Sequence, residues 1–521
     1  MIYRLRRLPL HPGLFAVAPI LALLAHNIIQ VEAGAALRPA VVALLATALL
    51  QIGLTIASRQ PGRAALLTTW FLVLFFSYGH VYIALRGTGE LGAAIARHRF
   101  LAPFYAALAL AGAWYLLRRL RAVDRAAQLA YLLGAALLVV PGLQLADHVD
   151  RLTRDVSGET DLPPEEVLHP DPAAPLPDVY LIIADTYMRS DALQSEFGYD
   201  NSWFVDGLES LGFYVPSCSR SNYSYTQASL AAVLNLDYLQ VLTGRLLDRG
   251  LDAGSIWSLI KHSRVRDQLE ALGYSSVAFD TGYDWSRLAD ADVYLSPART
   301  SSLLGVISPF EALVLRTSAA SILLDSEFKL TAAALHEANY PVARHRQRQE
   351  FILDELPQAA SFPGPKFVFV HILVPHGPYV FAPDGSFRTD PGFYGGPLSE
   401  PINEEYQREG YTGQVAYLNT RLLAFFRDTI ASSGVPPIFV LMGDHGLRDD
   451  NRLQNLLALR VPASSVSLLY PSMTPVNAFR AVFDGVFGAH YGLLPDQSFL
   501  GGDYVTNHAE TAPGCIDQTD S

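Results

Sequence analysis

Ile438-Phe439-Val440-Leu441-Met442-Gly443-Asp444-His445-Gly446 is the stretch on which the reading of this chain turns. Its first five residues are apolar, β-branched or aromatic, and follow Pro436-Pro437, as expected of a short buried strand. An aspartate and a histidine then stand side by side between two glycines. In open α/β sheets, sites form just beyond the carboxyl ends of the strands. A carboxylate and an imidazole placed there can share one metal ion. Asp-His-Gly also occurs in ordinary turns, so the rest of the chain has to decide.

The 521 residues are 50% hydrophobic, and the apolar excess lies at the N-terminus. Charge is divided too. Residues 1–150 carry 13 Arg, no Lys and 5 acids, whereas the remainder carries 25 basic and 45 acidic residues. The arginines are scattered near apolar segments and the long C-terminal part is acidic, which excludes a nucleic-acid surface. Cys218 and Cys515 are the only cysteines. They can pair in an oxidising compartment but make no disulfide framework.

Five apolar stretches precede residue 150: Leu14–Val31, Pro39–Ala57, Ala64–Leu85, Phe100–Leu117 and Ala126–Leu145. Each approaches the ~20 residues needed to cross a bilayer, and a cleaved signal peptide would supply only one. Arg4, Arg6, Arg7, Arg59, Arg63, Arg118, Arg119, Arg121 and Arg125 fall on one side of these spans; Arg38, Arg86, Arg97 and Arg99 fall on the other. The positive-inside rule puts the N-terminus in the cytoplasm, and five spans put the rest of the chain in the periplasm or outside the cell. His26 and His80 are expected to face other helices. The acidic, Pro-rich residues 147–177 read as a linker. The expected domains are therefore a membrane domain at 1–146, that linker, and a catalytic domain at 178–521.

Two more strands end as the first does. Val179-Tyr180-Leu181-Ile182-Ile183-Ala184 leads into Asp185-Thr186, and Phe367–Leu373 carries His371 and runs into Pro375-His376-Gly377-Pro378. Three strands delivering Asp or His at their carboxyl ends point to a metal or phosphate site on one edge of a mostly parallel sheet. A hydroxyl-rich segment, Ser219–Thr226, enters an apparent helix at Gln227. Thr226 there is either a helix cap or a nucleophile, since free N–H groups and the helix dipole favour an alkoxide and an incoming phosphate.

These residues resemble the sulfatase-like branch of the alkaline phosphatase superfamily. Asp185-Thr186 with Arg189, Asp191 and Leu193 is similar to the family's opening Asp-Thr-x-Arg-x-Asp-x-Leu, with one extra residue. Gly198-Tyr199 and Gly212-Phe213 continue the match. His371 and Pro375–Tyr379 resemble its middle His-Pro motif, and Gly443–Gly446 its metal-binding Asp-His-Gly. Five spans before an outward-facing catalytic domain is the layout of lipoteichoic acid synthases and lipid A phosphoethanolamine transferases.

The resemblance implies an α-helical membrane domain followed by an α/β domain with a central, mostly parallel sheet. It implies Asp185, Asp444 and His445 as metal ligands and Thr226 as ligand and nucleophile, with Ser224 and Ser221 as rivals. His376 would contact the substrate phosphate or protonate the leaving group, and His371 would assist. Arg448 would clamp an anion or stand as a solvated loop arginine. The mixed oxygen and nitrogen donors suit zinc or manganese better than magnesium or calcium. Cys218 is followed by Ser-Arg-Ser-Asn, which departs from the formylglycine motif of true sulfatases. Asp185 is the sulfatase residue, where the transferases have Glu. Three functions are expected in order: transfer of a phospho-headgroup from a membrane lipid to an envelope glycopolymer or lipid, hydrolysis of phosphate or sulfate esters, and non-catalytic binding of an envelope ligand.

Overall fold

The computed structural model describes residues 9–28, 33–88, 90–155, 167–242, 253–297, 308–324, 340–388, 404–448 and 451–500. Cys515, Asn507 and His508 lie outside them. The described residues fall into two compact units, one drawn from Met1–Thr153, Thr300–Arg344 and Tyr394–Pro401, the other from Arg154–Arg299, His345–Phe393 and Ile402–Ser521.

The first unit is helical: α1 (His11–Asn27), α2 (Leu37–Ser58), α3 (Pro61–Arg86), α4 (His98–Trp114) and α5 (Val123–Asp155). A π-helical turn, Tyr115–Arg119, extends α4. Among the described residues, four helices are long and apolar enough to cross a membrane: Gly34–Ser58, Pro61–Arg86, His98–Arg119 and Val123–Asp147. The expected first span differs. α1 has 17 residues, about 25 Å of helix against a hydrocarbon core of about 30 Å. The Asn27 side chain donates to the Leu23 carbonyl at 2.7 Å, satisfying one of the orphan carbonyls at its end.

Leu44, Leu45, Leu49, Ile52 and Ile56 of α2 are exposed. An unbroken apolar surface of this kind is the reverse of a soluble helix. His26 and His80 are exposed as well, contrary to expectation. Among the described residues of this unit, the buried imidazoles are His11, whose Nδ1 lies 2.8 Å from Thr69 Oγ1, and His98, whose Nδ1 lies 2.7 Å from Tyr78 Oη. A short helix from far along the chain, Pro309–Arg316, joins this unit, with a Ser308–Glu311 capping box at its start. Glu311 pairs with Arg38, and Phe310 packs among Ile20, Leu24 and Ala36.

The second unit is built on a six-stranded sheet: β1 (Val179–Ala184), β2 (Ser275–Phe279), β3 (Val293–Leu295), β4 (Lys366–Ile372), β5 (Ile438–Gly443) and β6 (Leu457–Arg460). The strand order is β3-β2-β4-β1-β5-β6, parallel except for β6. β1, β4 and β5 are buried along their whole lengths, which is why their sequences read as continuous apolar runs. One face carries Val179, Leu181, Ile183, Phe367, Phe369, Val440 and Met442, packed beside residues of α6 (Thr226–Asn235) and α9 (Val476–Val486). Between these helices in sequence come α7 (Tyr340–Ala359) and α8 (Glu404–Ser432). On the other face, Tyr180 and Phe439 meet Phe425 and Phe426 of α8 edge-on or tilted. Leu168 is buried in the first face, and the His169 amide donates to the Phe487 carbonyl at 2.7 Å.

Candidate functional site

Strand register assembles the site. Ala184 pairs with Gly443 and with Ile372, so Asp185 and Asp444 leave adjacent strands side by side, with His371 one residue back on the other neighbour. Both glycines around Asp444-His445 are needed. A Cβ on Gly443 would lie 2.1 Å from the Tyr187 carbonyl oxygen, and one on Gly446 would lie 1.9 Å from that of Asn451. The Asn455 amide donates to the Gly443 carbonyl at 2.6 Å, fixing the turn from below.

Asp185, Asp444 and His445 are buried, and each offers a ligand atom within 4.8 Å of the other two. Asp185 Oδ1 and Asp444 Oδ2 have no hydrogen-bond partner, although both are buried. An unsatisfied buried acceptor costs about 1–3 kcal/mol, and more when charged. The Asp444 Oδ1 atom, by contrast, accepts the Thr186 amide at 2.7 Å. His445 Nδ1 donates to the Gly446 carbonyl at 2.7 Å. That bond places the neutral ring's proton on Nδ1 and turns the Nε2 lone pair toward Asp444 Oδ2, 3.4 Å away. Two orphaned carboxylate oxygens and one oriented imidazole lone pair fit a divalent cation. Burial alone would raise the Asp185 carboxyl, but the imidazoles of His376, His371 and His445 together hold it below the usual carboxylate range.

Thr226 is the first residue of α6, and its hydroxyl does not cap the helix. Tyr225 occupies the cap position in extended conformation, and its side chain does not cap the helix. Thr226 Oγ1 instead lies 3.3 Å from His445 Nε2. Of the two rival serines, Ser224 is buried, with its carbonyl accepting Arg452 Nε at 3.0 Å. Ser221 is buried, and its amide donates to the Leu453 carbonyl at 2.7 Å. Among the three hydroxyls, the contact to the cluster histidine is recorded for Thr226.

Thr186 sits at φ 60°, in the left-handed region that a β-branched residue rarely adopts. Three bonds hold it there: its amide to Asp444, its hydroxyl to the Asp185 carbonyl at 2.7 Å, and its own carbonyl accepting Tyr411 Oη at 2.6 Å. Such strain persists only where the surroundings over-determine it. Tyr411 also accepts the Met188 amide at 3.1 Å, so one phenol spans the loop that aims Asp185. Three residues further along α8, Gln414 Oε1 accepts the Val380 amide while its Nε2 donates to the Pro375 and His376 carbonyls. Tyr411, Gln414 and Asn419 escaped the sequence reading. Their signal was a polar stripe at helical spacing inside an otherwise apolar helix face, all of it buried.

His371 and His376 lie across β1 from Asp444. His371 is fully buried, its Nε2 3.5 Å from Asp185 Oδ2 and its ring 5.5 Å from that of Trp285. The His376 amide donates to the Asp185 carbonyl at 3.1 Å, and its exposed ring uses Nδ1 on the Gly377 carbonyl at 2.6 Å. Arg448 is not a free solvated arginine: Nε lies 2.8 Å from Glu196 Oε1, and Nη2 donates to Gln407 at 2.9 Å. Arg189 and Asp191, prominent in the opening motif, form a two-pronged ion pair at 2.6 and 2.7 Å. Arg189 also donates to the Ser219 carbonyl at 2.7 Å, so the pair fastens the segment leading to Thr226.

No protein-family model matches the chain, and no curated protein does. Among solved structures it is similar to the integral membrane lipooligosaccharide phosphoethanolamine transferase A from Neisseria meningitidis, at 12% identity and TM-score 0.40, over 93% of this chain and 95% of that one. The C-terminal periplasmic domain of EcEptC from Escherichia coli matches at 12% identity and TM-score 0.43, over 67% and 96%. The phosphonate monoester hydrolase of Agrobacterium radiobacter matches at 15% identity and TM-score 0.38, over 60% and 74%.

Proposed function

We propose that the chain is a membrane-anchored, metal-dependent enzyme that moves a phospho-headgroup from a lipid donor to an envelope acceptor through a threonine nucleophile. The observation that carries this reading is the approach of Thr226 Oγ1 to His445 Nε2, 3.3 Å apart, inside the buried Asp185–Asp444–His445 cluster. A cation held by those three residues and Thr226, zinc or manganese by the donor set, would supply Lewis-acid chemistry and favour the threonine alkoxide.

The chain's own residues do the rest in two displacements. Thr226 Oγ1 forms a bond to phosphorus while the bond to the donor's alcohol oxygen breaks, and the hydroxyl proton ends on that alcohol. An acceptor hydroxyl then bonds to the same phosphorus as the Thr226 ester breaks, and its proton ends on Thr226. With Nδ1 engaged by the Gly377 carbonyl, His376 offers Nε2 as the proton relay for both steps. Arg448, paired with Glu196, follows Asp444 by four residues and is the candidate to bind a phosphoryl oxygen.

The spans orient the enzyme. Arg59 and Arg63 flank the α2–α3 connection, and Arg118, Arg119, Arg121 and Arg125 flank the α4–α5 connection. Those loops face the cytoplasm by the positive-inside rule, so α5 delivers the chain to the opposite side whether or not α1 crosses. The test is mass spectrometry of the purified full-length protein after incubation with a phospholipid labelled in its headgroup phosphate. A label on Thr226 that passes to an added alcohol supports transfer. Label that passes only to water supports an ester hydrolase, and an unlabelled protein with no bound metal would leave only a binding role.

A further inference from the structure

The sheet edge has a second cluster that the reaction above does not use. On α7, His345, Arg348 and Gln349 stand three and four residues apart and so share one helical face. Gln349 fixes that face to the site: its Oε1 accepts the Leu373 amide at 2.8 Å, just past the end of β4. Gln349 is fully buried, and its Nε2 has no partner. His345 Nε2 and both ring nitrogens of His371 are likewise buried without a hydrogen bond. His345 lies near enough to Asp185 and His376 to be influenced by their charges. Arg348 also reaches the loop that carries Tyr283, its Nε lying 3.5 Å from Asp280 Oδ2, and Tyr283 is 39% exposed. Its ring tilts against Trp285 at 5.8 Å.

We propose that this face of α7, together with Tyr283, is a polyol subsite for the alcohol that leaves in the first displacement and the acceptor that replaces it in the second. The proposal rests on the transferase reading for its direction. β1 lies between β4 and β5, Thr226 is engaged from the β5 flank, and α7 is fastened at the β4 flank. Attacking and leaving oxygens lie roughly in line across phosphorus. The departing and arriving alcohols are therefore on the α7 flank.

The chemistry of the cluster selects hydroxyl groups rather than a further charge. Arg348 Nε lies 3.5 Å from Asp280 Oδ2, so the guanidinium is balanced by a carboxylate. Burial pushes His345 down to about 3, with His376 and Arg348 adding to the effect, so it is neutral at physiological pH. An amide N–H, a neutral imidazole nitrogen and an Arg–Asp pair offer donors and acceptors together, as neighbouring hydroxyls do. The half-exposed Tyr283 ring supplies the apolar face that pockets for such ligands combine with a few polar groups.

The experiment is saturation-transfer NMR on the detergent-solubilised full-length protein, with glycerol and methyl α-glucopyranoside in separate arms and ethanol as control. We expect transfer to at least one polyol and none to ethanol; glycerol alone would mark a lipid backbone, the glucoside a sugar. Arg348→Ala and His345→Gln should each cut the signal at least threefold while retaining wild-type metal content. A variant that loses its metal is replaced by Tyr283→Ala at the exposed edge, for which the same loss is expected. No transfer to either polyol, or equal transfer in the metal-retaining variants, overturns the subsite. Absence of label on Thr226 in the phospholipid experiment would overturn the nucleophile instead and leave the NMR result standing.

Discussion

On the β5 flank of β1, each cluster side chain is aimed by a neighbour: Asp444 Oδ1 by the Thr186 amide, which leaves Oδ2 open, His445 by its own loop carbonyl, and the turn by two glycines whose Cβ positions are filled by backbone. On the β4 flank, His371, His345 and Gln349 keep buried nitrogens without partners, and His376 reaches solvent. The first arrangement suits a group that binds once and stays. The second suits groups that come and go, because only a transient ligand completes its hydrogen bonds. On the proposed reading, the two flanks of one strand would divide permanent ligation from turnover.

The sharpest way to break this division is at its centre. Thr226→Ala should remove all covalent label and lower turnover by ~10³-fold or more, since an unsupported water must replace a placed nucleophile. Residual labelling on Ser224 or Ser221, read by peptide mapping, would move the nucleophile. Asp444→Asn should strip the metal, measured by elemental analysis, and reduce activity by at least ~10²-fold. If metal content survived that change, the β5 flank would not be the ligating side.

On the other flank, His376→Gln should cost ~10²-fold in turnover with metal content intact, which is the range for losing one proton relay. Loss of metal in that variant would erase the distinction between the flanks. The smallest effect is expected behind both. Tyr411→Phe removes both phenol bonds, the one to the Thr186 carbonyl and the one from the Met188 amide, and should lower stability by about 1–3 kcal/mol in denaturant titration. Activity should fall only as far as Asp185 loses its aim. A wild-type midpoint would show that Thr186 keeps its φ without the brace.

Much of this was legible in the chain. Uninterrupted apolar runs marked β1, β4 and β5 because strands covered on both faces need no alternation. The residues after them marked the site because parallel strands end together. Thr226 was ambiguous for a physical reason: a helix cap and a nucleophile occupy the same place in sequence, and only the extended Tyr225 in the cap position removes the first of these. The first span was read as Leu14–Val31; α1 is His11–Asn27, and residues 29–31 of that span lie outside the described residues. His26 and His80 were expected among helices, yet periodicity is silent about rotation when every face is apolar.

The sequence by itself determined the division into apolar helices and an acidic α/β unit, the three site-bearing strand ends, and the residue types able to hold a cation. These follow from local hydrophobicity and from chemistry carried by single side chains. Only the tertiary structure decided that Asp185 and Asp444 emerge as neighbours, that Tyr411 and Gln414 brace the loops from 225 and 38 residues away, and that Pro309–Arg316 packs with the N-terminal helices. Each depends on strand register or on a helix face meeting a distant loop, and contacts between distant parts of the chain leave no local trace in composition.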